Sequence, residues 1–145
     1  MKQTGRLVLV LDGQGGGMGA QLVRLLADKL PGDCRLLAVG TNVLATSAML
    51  KAGAPQGATG ENVVLFQAPR ARVILGPIGI ILANGILGEV SPAMAAAVGQ
   101  SRAKKILVPM NQCDIWVAGV ADVPVSRLLE SAVDQLGRLL ENSAC

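Results

Sequence analysis

Apolar residues run without a break from Leu7 to Leu11, the pattern of a strand covered on both faces, and stop abruptly at Asp12-Gly13. From Gly19 to Leu30 the period changes: Leu22, Val23, Leu25, Leu26 and Leu30 recur at helical spacing, with Gln21, Arg24 and Asp28 on the other face, until Pro31-Gly32 stops the helix. Leu36 to Val39 predicts a second buried strand, and Val43 to Lys51 a short helix ended by Gly53 and Pro55. Gly57 to Gly60 reads as a small-residue loop, and the stretch from Thr59 through Phe66 is compatible with either strand or helix.

Val73 to Leu75 predicts a third strand, and Ile78 to Leu87, apolar on nearly every face, a buried helix. Ser91-Pro92 is a capping hydroxyl followed by proline at a first helical position, so a further helix runs on through Val98. Ile106 to Val108 predicts another strand, ending in Pro109-Met110-Asn111, and Ile115 to Val117 a short final one. Pro124 opens the last helix, with Leu128, Leu129, Val133, Leu136 and Leu140 facing inward.

Strands that are continuously apolar and alternate with helices predict a single α/β domain, a Rossmann-like three-layer sandwich around a mostly parallel sheet. Right-handed crossovers place the loops that follow the strands on one edge, where open α/β sheets bind ligands. Those loops are Asp12 to Gly19, Gly40 to Asn42, Gly76 to Gly79 and Pro109 to Asn111.

Composition narrows the function classes. The 145 residues are 51% hydrophobic with one Phe, one Trp and no Tyr, so the core is aliphatic and one domain accounts for the length. A net charge of +3 comes from scattered Lys and Arg, and aromatic platforms for bases are lacking, which argues against nucleic acid as a partner. Cys34, Cys113 and Cys145 form no CxxC pair and suggest neither zinc nor a redox couple; together with the lack of a signal-peptide pattern at Met1 to Arg6 they favour a cytoplasmic setting. Val73 to Val90 is long and apolar, but Pro77 and Asn84 interrupt it, so a membrane span is not expected.

The sharpest chemical signal is Asp12-Gly13-Gln14-Gly15-Gly16-Gly17-Met18-Gly19, placed between a strand and a helix. In that context glycines let a ligand approach the backbone, and the unpaired N–H groups of the helix start attract an anion such as phosphate. A plain tight connection between strand and helix is the competing explanation. The spacing of Gly13, Gly17 and Gly19 resembles that of short-chain dehydrogenases, but their Tyr-x-x-x-Lys pair cannot exist in a chain without Tyr. No GK[ST] follows, which removes a Walker-type loop. A tubulin-type GTP fold lacks its second glycine signature here.

The cofactor expected is thus a nucleotide, dinucleotide or purine nucleotide, held by residues 12–19 with Thr41, Asn42, Gly76, Pro77 and Asn111; no metal site is expected. Thr41 and Asn42 either contact a ribose or base or simply cap the next helix. Asp12 either bonds loop N–H groups or serves as metal ligand or base. Asn84 lies inside the expected apolar helix, where a buried amide needs partners, so it is expected to face the ligand edge or another subunit; Asn111 and Asp114 have turn explanations, and Glu89, before Ser91-Pro92, that of favouring the helix dipole. Self-association as a homo-oligomer is expected from the apolar segment Ile78 to Leu87 with Gly79, Gly85 and Gly88. The rival functions are a metal-assisted enzyme acting on a phosphorylated substrate and a non-catalytic, partner-binding structural protein.

The glycine loop together with the segments from Gly40 to Ala54, Gly57 to Asn62 and Gly76 to Ile80 resembles an uncharacterised family of small bacterial, glycine-rich Rossmann-like proteins, a domain of unknown function. The resemblance supplies no reaction. It implies that Thr41, Asn42, Thr59, Glu61 and Asn62 belong to one site.

Overall fold

The computed structural model describes residues 5–109, 115–120 and 122–141. Five parallel strands, β1 (Arg6–Asp12), β2 (Cys34–Gly40), β3 (Gln56–Thr59), β4 (Val73–Pro77) and β5 (Lys104–Val108), form one sheet in the order β3-β2-β1-β4-β5. Between them lie α1 (Gly17–Leu26), α2 (Val43–Lys51), α3 (Glu61–Gln67) and α4 (Pro92–Gln100), with α5 (Val125–Glu141) following the sheet. The fold is the expected Rossmann-like α/β sandwich, and its sheet is wholly parallel.

Burial on both faces explains the unbroken apolar run of β1. Val8 and Val10 enter a core with Leu22 and Leu26 of α1, Met49 of α2 and Leu129 and Leu136 of α5. Leu7, Leu9 and Leu11 point the other way, into a core with Val64 of α3 and Met94 and Val98 of α4. Successive side chains of a strand alternate between faces, so every position of β1 from Leu7 to Leu11 is apolar. In α5 the inward stripe is Leu129, Ala132, Val133, Leu136 and Leu140, with Leu128 at its margin.

Three expected elements differ. Residues 56–59 pair with β2 as the edge strand β3, although Gln56 and Gly57 are exposed and carry no apolar signal. Glu61–Gln67 is helical, which resolves the ambiguous stretch.

The helix expected from Ile78 to Leu87 does not form. A 3₁₀ turn, Ile78–Ile81, is followed by a chain folded back on itself, with bonds from Gly85 N–H to Leu82 O and from Val90 N–H to Gly85 O. The glycines cause this, because they disfavour helix and allow close approach: a Cβ on Gly85 would lie 2.3 Å from Gly79 O. Ile80 and Ile86 are buried by that folding back rather than by helical packing. Ile115 makes only an isolated bridge, so the short strand expected from Ile115 to Val117 is also absent. Among the described residues no helix is long and apolar enough to cross a membrane.

Candidate functional site

Strand order reverses at β1, whose neighbours β2 and β4 lead to connections on opposite faces, and such a switch point opens a crevice at the C-terminal ends of the strands. The loop after β1 and the segment after β4 form its walls. An open cavity of about 300 Å³ lies there, lined by Asp12, residues 13–18, Gln21, Pro77, Ile86 and Val125. Larger hollows of about 500 and 620 Å³ run along α5, lined mainly by helix-surface side chains such as Asp134 and Arg138, the first also by Lys29, Leu30 and Pro31 after α1. The smaller cavity is the candidate site because backbone donors and a helix start meet in it.

The loop glycines separate into two kinds. Gly13, Gly16 and Gly19 are buried and required by the fold: a Cβ would lie 2.7 Å from Thr41 Oγ1, 2.7 Å from Ala45 O and 2.6 Å from Met49 Sδ, respectively, and Gly16 also has φ 72°. Gly15 and Gly17 are exposed, and a Cβ on either would meet nothing within 4 Å. Turning and packing therefore account for three glycines and leave two whose bare backbone faces the cavity. Gly16 gives α1 no side-chain cap, so the N–H groups of Gly17 and Met18 have no acceptor among the described residues. Among the described residues no lysine or arginine lines the cavity, and the attraction for an anion that those residues supply comes from these N–H groups and the positive end of α1.

Asp12 braces this loop from beneath. Its two carboxylate oxygens accept from Gly13 N–H and Gly19 N–H, each at 2.7 Å, tying the end of β1 to the first turn of α1. Burial raises its pKa, the two backbone bonds oppose that rise, and the negative charge of Glu89 adds to it.

Glu89 is the residue whose importance the sequence did not signal. Its Oε1 accepts from Thr41 Oγ1 at 2.5 Å, Asn42 Nδ2 at 2.7 Å and Gln14 N–H at 3.0 Å, linking the loops after β1, β2 and β4. The Thr41 bond, with help from Gln14 and Asn42, holds the carboxyl below the usual glutamate range. The helix-dipole explanation from sequence missed these contacts because the partners lie 47 to 75 residues away. Asn42 also caps α2, its Oδ1 accepting from Ala45 N–H, and its amide donates to Gln14 O.

The remaining candidates divide clearly. Pro77 lines the cavity. Gly76 does not; a Cβ there would lie 2.2 Å from Leu11 O, so glycine serves the close approach of β4 to β1. Thr59 Oγ1 pairs with Thr46 Oγ1 at 2.7 Å beside β3, and Glu61 and Asn62 are exposed at the start of α3; no bond joins these three to the glycine loop among the described residues. Asn84 is exposed at a turn with φ 62° rather than inside a helix. Asn111 and Asp114 lie outside the described residues. Among the described residues no group of three or more Asp, Glu, Cys or His is placed to hold a metal.

A search of curated proteins finds no match. Among solved structures the chain is similar to a dodecameric FMN-dependent UbiX-like decarboxylase from Escherichia coli O157:H7, at 16% identity and a TM-score of 0.42, over 92% of this chain and 76% of that one. The model of the family described as Domain of unknown function (DUF3842) matches residues 7–141. The chain belongs to that family.

Proposed function

We propose that this DUF3842 protein binds a nucleotide or similar phosphorylated small molecule, with a phosphate seated on the glycine loop. One observation carries the reading: Gly15 and Gly17 are glycines that the fold itself does not need, and both open onto the cavity at the unsatisfied start of α1. A phosphate oxygen there accepts from backbone N–H groups that a side chain at either position would obstruct. Asp12 and Glu89 act as scaffold: the first bonds the loop from below, the second from the side facing β2.

Thermal shift with AMP, GMP, NAD and inorganic phosphate tests the reading. A ligand that binds only the folded state stabilises it by about 2.7 kcal/mol at a hundredfold excess over Kd. An unchanged melting point with every one of these probes overturns it. The rival role of Asp12 as metal ligand or base has less support, since both its oxygens are already engaged by backbone N–H groups. Homo-oligomerisation belongs to the same proposal. Its support is now the exposed Val43, Leu44, Leu87 and Trp116 rather than an apolar helix, and a strictly monomeric mass by light scattering removes it.

A further inference from the structure

We infer that the site selects mononucleotides over dinucleotides, because the protein closes the half of the crevice beyond β2 with its own Glu89. This rests on the reading of the glycine loop as a phosphate seat. In a doubly wound sheet a dinucleotide spans the switch point, its phosphates on the first loop and one ribose at the end of the second strand, where hydroxyls need free polar partners.

Here the side chains that the β2 loop itself supplies are already engaged. Thr41 Oγ1 and Asn42 Nδ2 both donate to Glu89 Oε1, Asn42 Nδ2 also donates to Gln14 O, and Asn42 Oδ1 is the cap of α2. The loops after β1 and β2 are stitched directly, with a further bond from Thr41 N–H to Asp12 O. Gly13 is hemmed in on that side, where an added Cβ would lie 2.7 Å from Thr41 Oγ1, 3.0 Å from Ile86 Cγ2 and 3.1 Å from Glu89 Oε1, and neither Thr41, Asn42 nor Glu89 lines the cavity.

The segment that delivers Glu89 is held in costly geometry. Ile86 and Leu87 have φ of 53° and 54°, a region that β-branched and bulky residues avoid, and Gly88 follows at 88°. That conformation turns Ile86 into the cavity and carries Glu89 over to the β2 loop. The opening left is on the β4 side, between Gly15, Gly17, Pro77 and Val125, and its 300 Å³ is at the lower limit of ligand pockets.

Calorimetric titration of the full chain with AMP and with NAD, for wild type, Glu89→Ala and Glu89→Gln, tests this. Wild type is expected to bind AMP at least tenfold more tightly than NAD. Glu89→Ala is expected to narrow that ratio at least threefold by freeing Thr41 and Asn42, while Glu89→Gln, which keeps the shape and one acceptor, changes it less. NAD binding as tight as AMP in wild type overturns the inference and leaves the phosphate seat standing, as does an unchanged ratio in a folded Glu89→Ala. A folded Glu89→Ala that loses AMP affinity, with the ratio not narrowed, assigns Glu89 to ligand contact and overturns it too. Should Glu89→Ala fail to fold, the wild-type ratio and Glu89→Gln decide alone. Binding of neither probe overturns this selectivity, and it defeats the phosphate-seat reading itself when GMP and inorganic phosphate also leave the melting point unchanged.

Discussion

Replacing Gly17 by alanine should make the free protein more stable and the bound complex weaker, a pair of opposite signs that a purely structural glycine cannot produce. Gly17 is the first residue of α1, outside the positive-φ region, and its added Cβ would stand in open space. Glycine-to-alanine at a compatible position stabilises by about 0.4–1 kcal/mol, chiefly by restricting the unfolded chain. For a domain of this size that corresponds to a rise in Tm of about 1–4 °C. Gly17 lines the cavity, so the same methyl group is expected to crowd a ligand seated there; the ligand-induced shift should shrink sharply, and Gly17→Val should abolish it.

Gly16→Ala is the contrasting control. With φ 72° and a Cβ 2.7 Å from Ala45 O, it should destabilise the free protein by about 1–2 kcal/mol or more. Scanning fluorimetry with and without AMP, with circular dichroism to verify the fold, reads both effects. A Gly17→Ala protein that is less stable than wild type, or that keeps the full AMP shift, refutes the division of the loop into fold-required and ligand-facing glycines.

Further outcomes follow from the same geometry. Asp12→Asn leaves one acceptor for two N–H groups and should destabilise by about 1–3 kcal/mol by denaturant titration, with AMP binding the same in magnesium and in EDTA; magnesium-dependent loss would restore a metal role for Asp12. Leu87→Gly relieves a left-handed residue that is 82% exposed and should raise the denaturation midpoint, by about 1 kcal/mol of stability; no gain would mean the strain is not there. Glu89 has a folded pKa below its ordinary value, so its stabilising contribution is present above the ordinary carboxylate range and is lost as pH falls through the folded pKa. The raised pKa of Asp12 has the opposite sign, its contribution being full in acid and lost as pH rises. The stability gap between wild type and Glu89→Gln should accordingly close as pH falls from above the ordinary carboxylate range through the lowered folded pKa, and a gap that does not change with pH would remove the charge from the explanation.

Local pattern was enough for the layers and for the position of the glycine loop. A strand buried on both faces must be apolar throughout, and a helix buried on one face must repeat every three to four residues, so β1, β2, β4, β5, α1 and α5 were legible from pattern, α2 from the Gly53 and Pro55 that end it and α4 from its Ser91-Pro92 start. β3 was not, because an edge strand of Gln, Gly, Ala and Thr is held by backbone bonds to β2 and carries little side-chain signal. Nor was the folded segment after β4, where hydropathy alone cannot distinguish burial inside a helix from burial by a chain doubling back. The sequence could list the loop glycines; only the environment of each absent Cβ decides which are demanded by the fold and which stand open to the cavity. Glu89 makes the same point for charge: its neighbours in sequence suggested a helix-dipole role, whereas its bonds to Gln14, Thr41 and Asn42 exist only because three strand ends meet at one edge of the sheet.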